Sequence, residues 1–178
     1  MFIALICIIL ILIVVLIQYN SLIKLRNNVR QAKSGIDVFL NKRFDLIPNL
    51  VECVKGYSKH EKEIFENVSK LRSEYIKSKD FKQAEKLNED MNKIMAIAEN
   101  YPELKASEQY LNLQNNLSKI ESELQAARRI YNVEVTNYNN AISVIPKNII
   151  AKAFSFKEEE LFEIEDYKKE NIKVNFEE

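Results

Sequence analysis

Residues Met1 to Ile17 form an apolar run with no charged side chain and none more polar than Cys7. At about 1.5 Å per residue a helix of this run is about 25 Å long, a little short of a hydrocarbon core near 30 Å. Gln18 and Tyr19 come next, where a tyrosine ring suits the membrane–water interface. A cleaved leader needs a basic start and a small-x-small cleavage site. No Lys or Arg precedes this run, and Ile17, Gln18 and Tyr19 are too large for such a site. Bulky Ile6 before Cys7 argues against lipid attachment there. The run therefore predicts a retained single-span anchor over residues 1–18, with the bilayer as its partner. Lys24, Arg26, Arg30 and Lys33 all come before the first acid, Asp37. This asymmetry predicts a cytoplasmic bundle and an outward N-terminus. The same four cations are candidate lipid-headgroup contacts.

Beyond the anchor the chain must be helical. It has 2 Gly and 3 Pro, where average usage would give about 12 and about 9. So few turn-formers argue against sandwiches, barrels and glycine-rich phosphate loops. One His and two Cys remove zinc fingers, disulfide scaffolds and paired-histidine di-iron sites. No metal or cofactor is implied.

Apolar residues then recur at helical spacing. Leu22, Leu25, Val29, Ala32, Ile36 and Phe39 mark a first soluble helix continuous with the anchor. Asp45 is a candidate N-cap for a second helix over about 46–78, with Pro48 in its first turn. A straight helix of that length would overshoot the first, so either the bundle tilts or the helix bends near Gly56. Asp80 can cap a third helix to Asn100, ended by the Tyr101-Pro102 turn. In the fourth, Leu113, Leu117, Ile120, Leu124, Ala127, Tyr131, Tyr138 and Ala141 alternate steps of four and three, with only Glu134 polar in the series. A period of 3.5 is the seam of coiled-coil-like packing. Within it Tyr131-Asn132 is echoed by Tyr138-Asn139, the tyrosines on the seam and the asparagines beside it as register-setting polar groups. The fold expected is all-α: an N-terminal transmembrane helix followed by an antiparallel up-and-down four-helix bundle with coiled-coil-like seams, over residues 19–156.

Charge sums to zero but is polarised. Residues 1–60 carry a balance of +5 and residues 157–178 a balance of −5. The span 157–178 reads as a mobile acidic tail with a little transient structure, with Leu161, Phe162, Ile164, Val174 and Phe176 able to dock on the bundle or on a partner.

Three stretches carry a family resemblance. They are Tyr19-Asn20-Ser21-Leu22-Ile23-Lys24-Leu25-Arg26-Asn27; Asp37 with Arg43-Phe44-Asp45-Leu46-Ile47-Pro48-Asn49-Leu50-Val51-Glu52 and on through Gly56-Tyr57 to His60-Glu61; and Ala127-Arg128-Arg129, Tyr131-Asn132, Tyr138-Asn139, Pro146 and Asn148. Together they resemble the LemA family of bacterial membrane-anchored helical proteins. Ala32-Lys33 and Val144-Ile145 depart from its pattern, where an aromatic is common. The resemblance implies one N-terminal span, an antiparallel four-helix bundle and no enzyme activity.

Arg43, Asp45, Asn49 and Glu52 are the densest polar group, at a helix junction. They are expected to close the hairpin, and as a functional reading they form a candidate interaction corner for a protein partner. His60 lacks a second histidine and reads as a surface residue. Cys53 reads as a small buried hydrophobe, two helical turns from His60, and no catalytic residue is assigned. Arg128-Arg129 sit in a charge-balanced region, which excludes a nucleic-acid surface. The function expected is a non-enzymatic membrane-anchored adaptor or scaffold at the bacterial cell membrane. The alternative is a self-assembling, membrane-shaping or envelope structural protein.

Overall fold

The computed structural model describes residues 1–56, 62–79 and 81–162. The expectations for Tyr57, His60, Glu61, Asp80 and everything from residue 163 onward lie outside the described residues. The described chain is all-α, with no strand among the described residues. Its elements are α1 (Phe2–Phe44), α2 (Ile47–Lys55), α3 (Lys62–Ser78), α4 (Phe81–Glu99), α5 (Pro102–Lys105), α6 (Glu108–Ser143) and α7 (Lys147–Ala153).

Helix α1 runs without interruption from the apolar run into the soluble stripe. Its first part is long and apolar enough to cross a membrane, and Ile3 to Ile17 are almost all exposed. From Leu22 the helix changes character: Leu22, Val29, Ile36 and Leu40 are buried.

The chain divides into two units, residues 30–129 and residues 1–29 with 130–178. The first unit is built from the C-terminal part of α1, α2 to α5 and the start of α6. There α3 packs on α4, and α2 touches both. Ile36, Leu40, Phe44, Leu50, Tyr75, Leu87, Met91 and Ile94 are fully buried. The Phe44 and Tyr75 rings meet edge to face with centroids 5.0 Å apart, a favoured aromatic geometry.

Two details differ from the sequence expectation. The second helix is not one rod from 46 to 78. It stops at Lys55, and the Gly56 N–H turns back onto the Val54 carbonyl. The interruption falls at the expected bend and removes the overlong helix. Nor does Asp45 cap α2. Leu46 occupies that place with helical backbone angles and no side-chain bond, because the Asp45 carboxylate is taken by Arg72 at 2.9 Å.

In the second unit α6 supplies Tyr131, Val135, Tyr138 and Ala141 to the interior. Strict alternation placed Glu134 in that series; Val135 takes the position. A straight helix has 3.6 residues per turn and drifts about 20° per heptad from a 3.5 repeat. Two successive steps of four, Ala127 to Tyr131 to Val135, absorb the drift. Glu134 is left half-buried and accepts a bond from Asn28 Nδ2 at 3.3 Å.

Pro146 ends α6 as expected, but the chain then forms α7. Its end is a Schellman turn: the Phe156 N–H bonds the Ala151 carbonyl at 2.9 Å and the Ser155 N–H bonds that of Lys152 at 3.3 Å. Ser155 holds the left-handed conformation this turn needs, at φ 56°.

Candidate functional site

The four residues of the expected corner take two different roles. Arg43 is 8% exposed and pairs with Glu121 of α6. Arg72 reaches across from α3, bonds the Phe44 carbonyl at 3.0 Å and pairs with Asp45. It satisfies a carbonyl that the end of α1 leaves without a helical partner. Asp45 therefore helps tie the end of α1 to α3, as expected for hairpin closure, whereas Arg43 ties it to α6. Asn49 and Glu52 are exposed and line a groove of about 610 Å³ between α2 and α6. Carboxamides dominate its walls: Asn49 on one side and Gln109, Asn112 and Asn116 on the other, with Leu113 and Cys53 between them. Among the described residues Glu52 is its one carboxylate.

Cys53 is half-buried rather than buried. Burial, and next the Glu52 charge, push its thiol pKa up. That keeps it protonated and a poor nucleophile. Among the described residues no group of three or more His, Cys, Asp or Glu is placed to hold a metal. Below this end of the bundle, Asp37 accepts a bond from the Tyr75 hydroxyl at 3.3 Å. Burial still holds the Asp37 carboxyl above its ordinary range, with the Tyr75 bond pulling the other way.

The expected headgroup cations divide as well. Lys24 and Arg30 are exposed. The Arg26 guanidinium lies over the Phe156 ring at 5.1 Å, and the Lys33 ammonium over Phe81 at 5.1 Å. Such cation–π contacts leave the charge in place but fix the side chain.

A second arrangement, missed in the sequence, lies on the last turns of α6. The Tyr-Asn pairs hold the start of the acidic tail. Asn132 donates to the Phe162 carbonyl at 3.0 Å and accepts from the Phe162 N–H at 2.8 Å. Asn139 donates to the Glu159 carbonyl at 2.8 Å and accepts from the Glu159 N–H at 3.0 Å. Tyr131 and Tyr138 donate their hydroxyls to the Glu160 and Lys157 carbonyls, each at 2.9 Å. All six bonds go to main chain. The register follows from geometry: seven helical residues rise about 10.5 Å, and three extended residues span about 10 Å. A heptad step on α6 thus matches a three-residue step on the tail, running in the opposite direction. The asparagines are tail clamps rather than register-setters. Residues 157–162 of the expected mobile tail are docked. The signal was present as the Tyr-Asn echo, but the occupant was not. Burial, and then the Glu159 and Glu160 charges, raise the Tyr131 pKa, so the hydroxyl remains a donor well into the alkaline range.

A long apolar helix continuing into a helical bundle, with polar clamps and grooves along it, defines the class of membrane-anchored helical-bundle proteins. The chain belongs to one family within it: the LemA family model matches residues 32–176. Protein LemA of Metamycoplasma hominis is 24% identical over 158 residues, covering 86% of this chain and 72% of its own length. Magnetosome protein MamQ of Magnetospirillum gryphiswaldense is 23% identical over 177 residues, and MamQ 1 of Paramagnetospirillum magneticum is 23% identical over 178 residues, each covering 83% of this chain. The chain spans about 65% of the length of these MamQ relatives.

Proposed function

We propose that the protein is a non-enzymatic, membrane-anchored adaptor that presents helical docking surfaces on the cytoplasmic side of the bacterial cell membrane. The observation that carries the reading is α1: one unbroken helix supplies both the exposed apolar span and core residues of the bundle. The cations Lys24, Arg26, Arg30 and Lys33 support the cytoplasmic orientation. The groove between α2 and α6 is the docking surface. Its carboxamides match the alternating donors and acceptors of a polypeptide main chain, and Glu52 matches a basic side chain on it. A photo-crosslinking amino acid at Asn112 in the membrane-embedded full chain is expected to trap one discrete protein adduct, lost with Glu52→Lys. No adduct at Asn112, with adducts elsewhere on the bundle, would refute the groove. Orientation is tested by Ser78→Cys with both native cysteines replaced. An impermeant maleimide should label it only after lysis; labelling of intact cells overturns the assignment.

A second reading is self-assembly, and the clamp favours it. Because the clamp contacts only main chain, the tail of a second copy fits as well as the chain's own. This reading expects oligomers that grow with concentration in detergent micelles; a strict monomer by light scattering across a wide range excludes it.

A further inference from the structure

Helix α7 is held against α1 at the level where the apolar run ends. Ile150 and Ala151 are buried with Leu22 and Ala141, and Val15 and Tyr19 pack against that cluster. The Tyr19 ring meets Phe154 at 4.8 Å and Phe156 at 5.9 Å. Val15 belongs to the apolar run, so α7 reaches down beside the run itself. The exposed residues on and beside α7 are unusual for a surface in water. Val144, Ile145, Ile149 and Phe154 are all exposed, Ile145 by 80% and Ile149 by 67%. Scattered exposed apolar residues are ordinary, but here four large ones fall within eleven residues, Val144 and Ile145 before α7, Ile149 on it and Phe154 at its end. Leu16 and Ile17, beside Val15 in the apolar run, are also exposed, at 60% and 61%.

Among the described residues the charges flanking α7 along the chain have one sign. From Val135 to Lys157 there is no acid, and the cations are Lys147, Lys152 and Lys157. On α1 no acid precedes Asp37. Among the described residues of this unit the acids, Glu134 and Glu158 to Glu160, lie along the tail clamp, which starts at Asn139 and runs away from α7. Large apolar side chains beside lysines, next to a tyrosine at the end of a span, are what an interfacial element presents to headgroups and the first acyl carbons.

We infer that α7 with the turns at its two ends is a second membrane contact: Ile145, Ile149 and Phe154 insert at the headgroup–acyl boundary of the bilayer that α1 crosses, and Lys147 and Lys152 meet lipid phosphates. The inference rests on the reading of α1 as an anchor. Its consequence is that the protein is held to the membrane by two points of its second unit. One span alone permits free rotation about its axis; a second contact fixes which face of the unit looks at the bilayer.

The test uses the full chain in phosphatidylcholine–phosphatidylglycerol vesicles, with Cys7 and Cys53 replaced by serine. Single cysteines at Ile149, Phe154, Leu12 and Ser122 carry an environment-sensitive fluorophore. Lipids bear a nitroxide quencher near the glycerol or near the chain end. The expected result is loss of most emission at Ile149 and Phe154 with the shallow quencher, at Leu12 with the deep one, and at Ser122 with neither. Ile149→Glu should restore emission at Phe154 while leaving Leu12 quenched and helicity unchanged. Quenching at Leu12 without quenching at Ile149 and Phe154 overturns the inference and leaves the anchor standing. Failure at Leu12 overturns both. Quenching of the Ile149 label only by a nitroxide on a second copy assigns the patch to a protein contact and also overturns it.

Discussion

Asn132→Ala isolates the force that holds the tail. The Asn132 amide makes two hydrogen bonds with the Phe162 main chain, at 3.0 and 2.8 Å. Each such bond contributes about 1 kcal/mol net. Asn132 is half-buried, so water can reach the freed Phe162 groups and the cost stays near that net figure. The variant should therefore release the tail by about 2 kcal/mol, or about 30-fold in the docking equilibrium. The reporters are built in: the Glu159 and Phe162 amides donate to Asn139 and Asn132. Hydrogen exchange on the full chain in micelles reads both. Asn132→Ala should speed exchange at Phe162 by about that factor, with helicity unchanged. Asn139→Ala should do the same at Glu159. If the two rungs open together, each variant also speeds exchange at the other rung and the pair is less than additive. Asn132→Asp keeps the acceptor but sets a carboxylate against the Phe162 carbonyl, so it should release the tail at least as far as alanine does. Unchanged protection at Phe162 in Asn132→Ala would refute the clamp, because the Asn132 carboxamide is the acceptor assigned to that amide.

Three further perturbations test the bundle. Arg43→Ala strands Glu121 in a half-buried site and should cost about 3 kcal/mol in denaturant titrations, whereas Arg43→Met with Glu121→Leu should recover most of that loss. Asp37→Asn keeps an acceptor for Tyr75 and removes a carboxylate whose ionisation burial opposes. The folded Asp37 pKa is raised, so its ionised form disfavours folding at neutral pH; the variant should be at least as stable as the parent at pH 7, and its advantage should vanish as pH falls through that raised pKa. A less stable variant at pH 7 would show that the Tyr75 bond to the ionised carboxyl outweighs burial. Ser155→Gly relieves a left-handed residue at φ 56° and should stabilise the Schellman turn by about 0.5 kcal/mol, seen as slower exchange at the Phe156 amide.

The sequence exposed whatever depends on period. Apolar spacing located α1, α4 and α6 within a few residues, and the uninterrupted run before Gln18 located the span. Helix period comes from burial on one face, and one face is readable from the linear order of residues. The parts that stayed hidden depend on pairing between distant segments. Asp45 looked like a cap because cap chemistry is local, yet Arg72, 27 residues on, outcompetes the α2 amides for its carboxylate. Arg43 was expected to help close the hairpin, but nothing in its neighbourhood named Glu121 of α6. Asn132 and Asn139 were visible as a heptad echo, and the reading as polar seam groups was reasonable for residues beside a seam. Only the fold brings Phe162 and Glu159 to them. Helix α7 escaped because a short run after a proline is too brief to show a period.

The clamp also explains how an acidic tail can be fixed without neutralising it. Capture through side chains would have needed cations opposite Glu158, Glu159 and Glu160, and each pair would have screened the charge it held. Capture through main-chain N–H and C=O groups uses none of the tail's side chains. Those three glutamates are exposed along the docked segment. Their charge is held in a fixed row against α6, and that of Glu159 and Glu160 adds to burial in raising the Tyr131 hydroxyl pKa. A docked tail is thus a surface of defined charge, and an undocked one is a loose polyanion. The Tyr-Asn ladder is therefore the element that sets whether the acidic row over residues 157–162 lies fixed along α6.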